Sequence, residues 1–490
     1  MKFKRNIYTQ TPTIQVDENQ PFWFPSWMAN TAIVTYAIIV LVMLVLFNKQ
    51  LMALHNWILA CLGVFMFFHF SNRLSKDWLV YKEKLFEKNI FLTTVLLRLA
   101  WMLFFSQWTY WLWDSPWEQP DGTSMDSYAY YDTATWFSLL MDEGKYWTEI
   151  IRMASDGGVS DLGYPSWLAL LSQMGLGSIV WTRIPNCIFE AIVCIMVYRI
   201  GKRHFGEYVG RLGAIFTMLL PLMFMFAGIT MKESMMTMLM MLSVNQLDQI
   251  IQGEKKGFWQ VILGLALVAS IAFFRTSLCL VLVAAFLLGL ILSESKRSKW
   301  INRLFIFLLI IVVGLLFAGD ALDMQMSEVK SGLEMSEGNF ENRARRGNVL
   351  VQNMTKVMFA PMIFTVPFPT MVEIPGQTWQ QLCAGGNFIK NVLSFFVILL
   401  FGMLLIQRKW RPYTFPIAVL CGYLLALTMS SFAHSGRFHM PAVPLELMFA
   451  AAGMCLYPKE SKKIWKPVLL FELVVIIGWN WFKLKGRGLI

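Results

Sequence analysis

Charge is what this chain has least of. Only 15% of its 490 residues are Asp, Glu, Lys or Arg, against 57% that are hydrophobic, and the mean hydropathy is +0.53. An ordinary soluble domain carries roughly 25% charged residues, so that class is excluded. Paired cysteines are missing as well. Cys61, Cys187, Cys194, Cys279, Cys383, Cys421 and Cys455 form no CxxC spacing, and all but Cys383 fall inside apolar runs. Neither a disulfide framework nor a zinc site is indicated. The N-terminus MKFKRNIYTQTPTIQVDENQPFWFPSW is basic, then polar, with no small-residue cleavage site, so no cleaved signal peptide is expected. A clear internal repeat is also lacking.

What is abundant is apolar runs of membrane-crossing length. A hydrocarbon layer about 30 Å thick takes about 17–25 apolar residues as a helix, and backbone groups in lipid must be satisfied internally. Windows of that size predict spans near 28–48, 51–72, 91–113, 181–200, 209–229, 234–251, 258–274, 276–293, 302–318, 386–406, 413–430, 437–456 and 467–483. The expected fold class is therefore an all-α polytopic membrane protein with about thirteen transmembrane helices. A net charge of +11 and a pI near 9.2 do not signal nucleic acid here, because Lys and Arg sit in short loops between spans. The N-terminal KRN and the loops 72–88, 201–207, 252–257, 293–303, 407–412 and 458–466 are all basic and share one side by parity, which the positive-inside rule makes cytoplasmic. The KLKGRG tail is the one discord.

The opposite side carries two long outer loops, 114–180 and 319–385. The stretch from Asp114 to Leu162 is an acidic island, with ten Asp or Glu against Lys145 and Arg152. Within it, Asp126, Tyr130, Tyr131 and Asp132 are the first candidates for chemistry. Asp126 reads either as a solvated loop carboxylate or, beside many Tyr and Trp residues, as a desolvated general base for a hydroxyl acceptor. The aromatics read as an interfacial belt or as stacking surfaces for sugars. The loop has no DxD pair, no HExxH and no phosphate-cradling glycine loop, so metal use is unsupported, although Asp121, Asp126 and Asp132 are chemically able to hold Mg²⁺ or Mn²⁺. The following stretch 163–178 is amphipathic and is expected on the membrane surface.

Short turns on the same side bring Lys232, Glu233, Arg275, His434, Arg437 and His439 towards Asp126. Ionisable residues at spans are costly and mark functional candidates. Arg275 and Arg437 read either as snorkelling cations or as phosphate ligands, since a guanidinium offers a planar fork of donors. Lys232 and Glu233 read as a partner pair for that site or as a simple ion pair. In the second outer loop, Arg343, Arg345 and Arg346 form a basic patch, and Pro361, Pro367 and Pro369 preclude an ordinary span, which leaves a membrane-dipping helix or lid.

The order of DSYAYYDTA (126–134), GYPSWLALL (163–171), RIPNCIFEAIVCIMVYRIGKRHFG (183–206), GITMKES (228–234) and GRFHMPAVPLELMFAAAG (436–453) resembles the GT-C superfamily of membrane glycosyltransferases, which includes the protein O-mannosyltransferases and the lipid A aminoarabinose transferase. The resemblance covers about residues 91–456. It implies a GT-C-like core there, to which hydropathy adds a cytoplasmic segment (1–27) and two additional spans with a loop (28–90) before it, a departure from the family's pattern, and a C-terminal span and tail (457–490) after it. It also implies an inverting transferase at the outer face of a bacterial cytoplasmic (inner) membrane. The donor would be a sugar on polyprenyl (undecaprenyl) phosphate and the acceptor a hydroxyl of a glycan, lipid or protein, with membrane lipids around and no nucleic acid. Carried onto this chain, Asp126 is the base, with Asp121 or Asp132 as alternatives, and Arg437, Arg275 and Lys232 face the donor phosphate. The competing reading is a lipid-linked saccharide flippase or other transporter, which predicts repeats and buried midplane charges.

Overall fold

The structure is a computed structural model that describes residues 21–117, 126–155, 159–255, 257–292, 363–375, 378–428 and 435–490. Among the described residues every regular element is helical, and the one β pairing is an isolated bridge between Leu51 and Val372. In chain order the helices are α1 (Ser26–Leu46), α2 (Leu54–Asp77), α3 (Glu83–Trp113), α4 (Asp126–Asp142), α5 (Tyr146–Ser155), α6 (Gly163–Gln173), α7 (Ile179–Phe205), α8 (Glu207–Leu219), α9 (Pro221–Ala227), α10 (Glu233–Ile251), α11 (Phe258–Ala272) and α12 (Thr276–Leu292). After single turns at Thr378–Leu382 and Gly436–His439 are counted apart, α13 (Ala384–Ile406), α14 (Thr414–Thr428), α15 (Val443–Leu456) and α16 (Pro458–Lys485) complete the set.

Six of these helices, α1, α2, α3, α7, α13 and α16, are long and apolar enough to cross a membrane, and a bent pair makes a seventh. That pair is α8 and α9, expected as the single span 209–229 but bent by 56° at their junction. Pro221 is the cause: it lacks an amide hydrogen and its ring collides with the preceding turn. The expected span 302–318 lies outside the described residues. The acidic stretch read as a loop carries two helices, α4 and α5, and the amphipathic stretch after it folds as α6.

The centre of the bundle is α7, packed on α3, α8, α10 and α15. Close approach there requires small residues. A Cβ on Gly210 would stand 2.5 Å from the Tyr198 carbonyl oxygen, and one on Gly453 would stand 2.3 Å from that of Phe396. Inside this core, fully buried Arg98 of α3 pairs with Glu190 of α7 at 2.5 Å, and Glu190 also accepts a 2.9 Å hydrogen bond from Ser234 in the first turn of α10. A buried charge pair of this kind ties three helices together and fixes where α10 begins.

Residues 363–375, the described part of the Pro-rich stretch, are not helical, and most of them are buried, with Glu373 and Pro375 exposed, so the dipping helix is not found there. Non-helical backbone at membrane depth survives only where protein satisfies it. Polar side chains from the flanking spans do so. Lys390 donates to the carbonyls of Phe364 (3.0 Å) and Val366 (2.7 Å), and Asn391 donates to that of Pro367 (3.2 Å). Asn480 donates to the Pro369 carbonyl and accepts from the Met371 amide.

Candidate active site

Asp126 stands in the first turn of α4, where free backbone N–H groups favour a carboxylate. Tyr130 lies four residues on, hence on the same face. Buried Ser127, Ala134 and Phe137 belong to the side of α4 that seats this helix, which packs on α6. Asp132 is six residues from Asp126, about 120° around the helix, and is exposed with no ion pair to any described residue.

Opposite α4, the chain reverses at three places: before α10, between α11 and α12, and before α15. These turns deliver Lys232 and Glu233, then Arg275, then Arg437. Arg437 pairs with Asp126, donates from Nε to Glu233 Oε1 at 2.5 Å, and reaches the Tyr130 hydroxyl from Nη2 at 3.4 Å. Lys232 pairs with Asp161 and donates to the Phe274 carbonyl at 2.8 Å. The Tyr130 hydroxyl donates to Asp161 at 3.2 Å. Arg275 donates to the Tyr423 hydroxyl at 2.9 Å, which in turn donates to the Phe438 carbonyl at 2.8 Å, and its guanidinium lies 4.5 Å from the Phe438 ring centre.

Three cations, Lys232, Arg275 and Arg437, thus meet three carboxylates, Asp126, Asp161 and Glu233, and the formal charges cancel. Access differs sharply among the acids. Glu233 is fully buried, whereas the Asp126 and Asp161 side chains are each 53% exposed. Burial pushes the Tyr130 hydroxyl well above its ordinary range, with the Glu233 charge adding to the effect, so it stays a neutral donor. Burial works against the charge of Arg275, but Tyr423 and Glu233 more than offset it.

The walls are held by residues from the apolar runs. Arg183, fully buried, donates to Thr230 Oγ1 (3.2 Å), Ser106 Oγ (2.9 Å) and the Pro116 carbonyl (2.7 Å), which fastens the start of the acidic stretch to the bundle. Trp117 meets the rings of Tyr128 and Tyr131 edge-on at 5.6 and 5.8 Å, and the Tyr131 hydroxyl donates to the Gly177 carbonyl at 3.0 Å. Tyr131 is therefore turned into this aromatic group and not into the ion cluster. His439, fully buried, shares the Gly436–His439 turn with Arg437.

The structure therefore brings Asp126, Tyr130, Lys232, Glu233, Arg275 and Arg437 together, and keeps Asp132 apart from them. Asp121, His434, Arg343, Arg345, Arg346 and Pro361 lie outside the described residues. Asp161, Tyr423 and Arg183 were not singled out by sequence reasoning. Arg183 alone had a legible signal, a cation within an apolar run. Among the described residues, no three of His, Cys, Asp and Glu converge in a way that would hold a metal ion.

A search of the curated proteins and of the solved structures found no match. Residues 164–319 match the family model described as dolichyl-phosphate-mannose-protein mannosyltransferase, about a third of the chain. The matched stretch includes Arg183, Lys232, Glu233 and Arg275 and leaves Asp126 and Arg437 outside it. With the apolar helices that carry these residues, this match supports the sequence resemblance: a GT-C superfamily membrane glycosyltransferase.

Proposed function

We propose that this protein transfers a sugar from a polyprenyl-phosphate carrier to a hydroxyl of a glycan, lipid or protein at the outer face of the cytoplasmic membrane, in a single inverting displacement. The observation that carries this reading is the neutral ion cluster with two exposed carboxylates. A donor phosphate brings new negative charge to three cations already paired, so it must take the place of an acid. Asp126 and Asp161 are the exchangeable ones, while buried Glu233 keeps its hold on Arg437 Nε.

In this scheme the phosphate engages Arg437, Lys232 and Arg275, and Asp126 is released from Arg437 in the same event. Its freed carboxylate takes the proton of the acceptor hydroxyl as that oxygen attacks the anomeric carbon. The bond from that carbon to the phosphate oxygen breaks, and the electron pair leaves with the phosphate. Fixed cations aimed at the departing oxygens supply the electrostatic stabilisation. Tyr130 contributes an aromatic face for the sugar at the cluster, Tyr131 belongs to the aromatic group beside it, and His439 shares the buried turn that carries Arg437. Whether Mg²⁺ or Mn²⁺ assists is decided by the same experiment, run with and without chelator.

That experiment is release of polyprenyl phosphate from polyprenyl-phosphate sugars by the purified protein, with an acceptor extract present. Loss of a general base lowers turnover by about 10²–10⁴-fold, and Asp126→Asn is expected to fall in that range. Equal release by wild type and variant would overturn Asp126 as the base and move that role to Asp121 or Asp132. No release from either well-folded protein would favour a transporter.

A further inference from the structure

Helices α1 and α16 run side by side from a common end. Trp465 near the start of α16 donates from Nε1 to Thr31 Oγ1 at 2.7 Å, and its ring lies 6.2 Å from Phe24 and 6.5 Å from Trp27 at the start of α1. Between the two helices is an open groove of about 410 Å³. Its upper walls are Val34 and Ile38 of α1 and Leu470 and Leu473 of α16, and its lower end is bounded by Asn30, Thr31 and Lys466. Such a volume lies in the range of small-molecule sites, about 300–1,000 Å³.

The stripe that lines the groove on α16 does not stop at Lys466. Counting back along the same helical face gives Lys463, Lys462 and Lys459, at the i, i+3, i+4, i+7 spacing that puts side chains on one face. All four lysines are exposed, and none is in an ion pair with a described residue. One face of α16 is therefore cationic for two turns and then aliphatic for two more, with hydroxyl and amide groups of α1 beside the change-over. That order of charge, polar and apolar surface is the order of an anionic phospholipid: phosphate headgroup, ester linkage, acyl chain. This end of the bundle is distant from the ion cluster. Arg437 stands just before α15, whose fourteen residues span about 21 Å before α16 begins.

We propose that the α1–α16 groove is a binding site for one anionic phospholipid, its chain along Leu470 and Leu473 and its phosphate at Lys462, Lys463 and Lys466. Each basic residue at an anionic lipid surface contributes a factor of about five in affinity. The test is native mass spectrometry of the purified full chain with phosphatidylglycerol or phosphatidylcholine added at equal concentration. Wild type is expected to retain phosphatidylglycerol at least about tenfold better. The Lys462→Gln, Lys463→Gln, Lys466→Gln triple variant, whose changes are all at exposed positions, is expected to lose that preference. Leu470→Trp, which fills the groove, is expected to bind one lipid fewer. An unchanged preference in the triple variant overturns the site. So does a preference that disappears in Arg437→Gln instead, because the lipid would then occupy the outer cluster.

Discussion

Asp161 gives the sharpest test of the exchange scheme, because the scheme assigns it the opposite role from Asp126. Its side chain is half exposed and pairs with Lys232, which is buried and keeps its bond to the Phe274 carbonyl whether or not Asp161 is charged. Replacement by Asn removes a competitor for the donor phosphate and leaves the cation in place. A pair with one exposed partner is worth about 0.2–1 kcal/mol, so the donor KM should fall by up to about fivefold in Asp161→Asn. Turnover should change little, since Asp161 does not touch the reacting oxygen in this scheme. The assay is steady-state release of polyprenyl phosphate as a function of donor concentration. If instead kcat falls by about 10²–10⁴-fold, Asp161 is the general base. A KM that rises with kcat intact would refute the idea that this carboxylate occupies the seat of the phosphate.

Three further outcomes follow from named contacts. Tyr423→Phe removes the hydroxyl that accepts from Arg275, and a hydrogen bond to a charged group is worth about 1.5–3 kcal/mol, so donor affinity measured by titration should weaken by roughly tenfold or more. No change would mean that Arg275 takes no part in donor binding. Arg98→Met strips Glu190 of its buried cation and should cost about 3–5 kcal/mol in detergent unfolding, whereas Arg98→Met with Glu190→Leu should recover most of it. A double variant as unstable as the sum of the two single variants would contradict this. Gly453→Ala forces a Cβ onto the Phe396 carbonyl and should destabilise by about 1–3 kcal/mol in thermal unfolding, while Gly402→Ala, which meets nothing within 4 Å, should not; equal midpoints would show that the approach of α13 and α15 relaxes freely.

The six long apolar helices were legible because a membrane crossing needs a long, continuous apolar signal, whereas α4 and α5, which carry none, were read as a loop. The meeting of Asp126 with Lys232, Glu233, Arg275 and Arg437 was also legible, because the last four stand at the ends of apolar runs that parity puts beside the acidic stretch holding Asp126. Asp161 was not. Within an acidic run it looks like its neighbours, and only the fold, with a positive φ of 74° at that residue, turns it towards Lys232. The bend at Pro221 was visible as a proline but not as a break, since hydropathy averages across it. Tyr423, Asn391 and Asn480 share another reason: each serves a backbone or side-chain partner in another segment, and such pairings leave no periodic trace in sequence, whereas Lys390, like Arg183, was visible as a cation within an apolar run.

The mostly buried, non-helical segment at 363–375 bears on how the protein is assembled. Its carbonyls at Phe364, Val366 and Pro367 find donors on α13, but the Pro369 carbonyl finds its donor and the Met371 amide its acceptor on Asn480, 109 residues after Met371 in the chain. A ribosome delivers those partners last. Until α16 arrives, the Pro369 carbonyl and the Met371 amide lack these partners, and water must satisfy them. The final helix is in this sense a latch. Its arrival supplies the remaining partners of residues 369–371, so the settling of this segment and the docking of α16 are coupled.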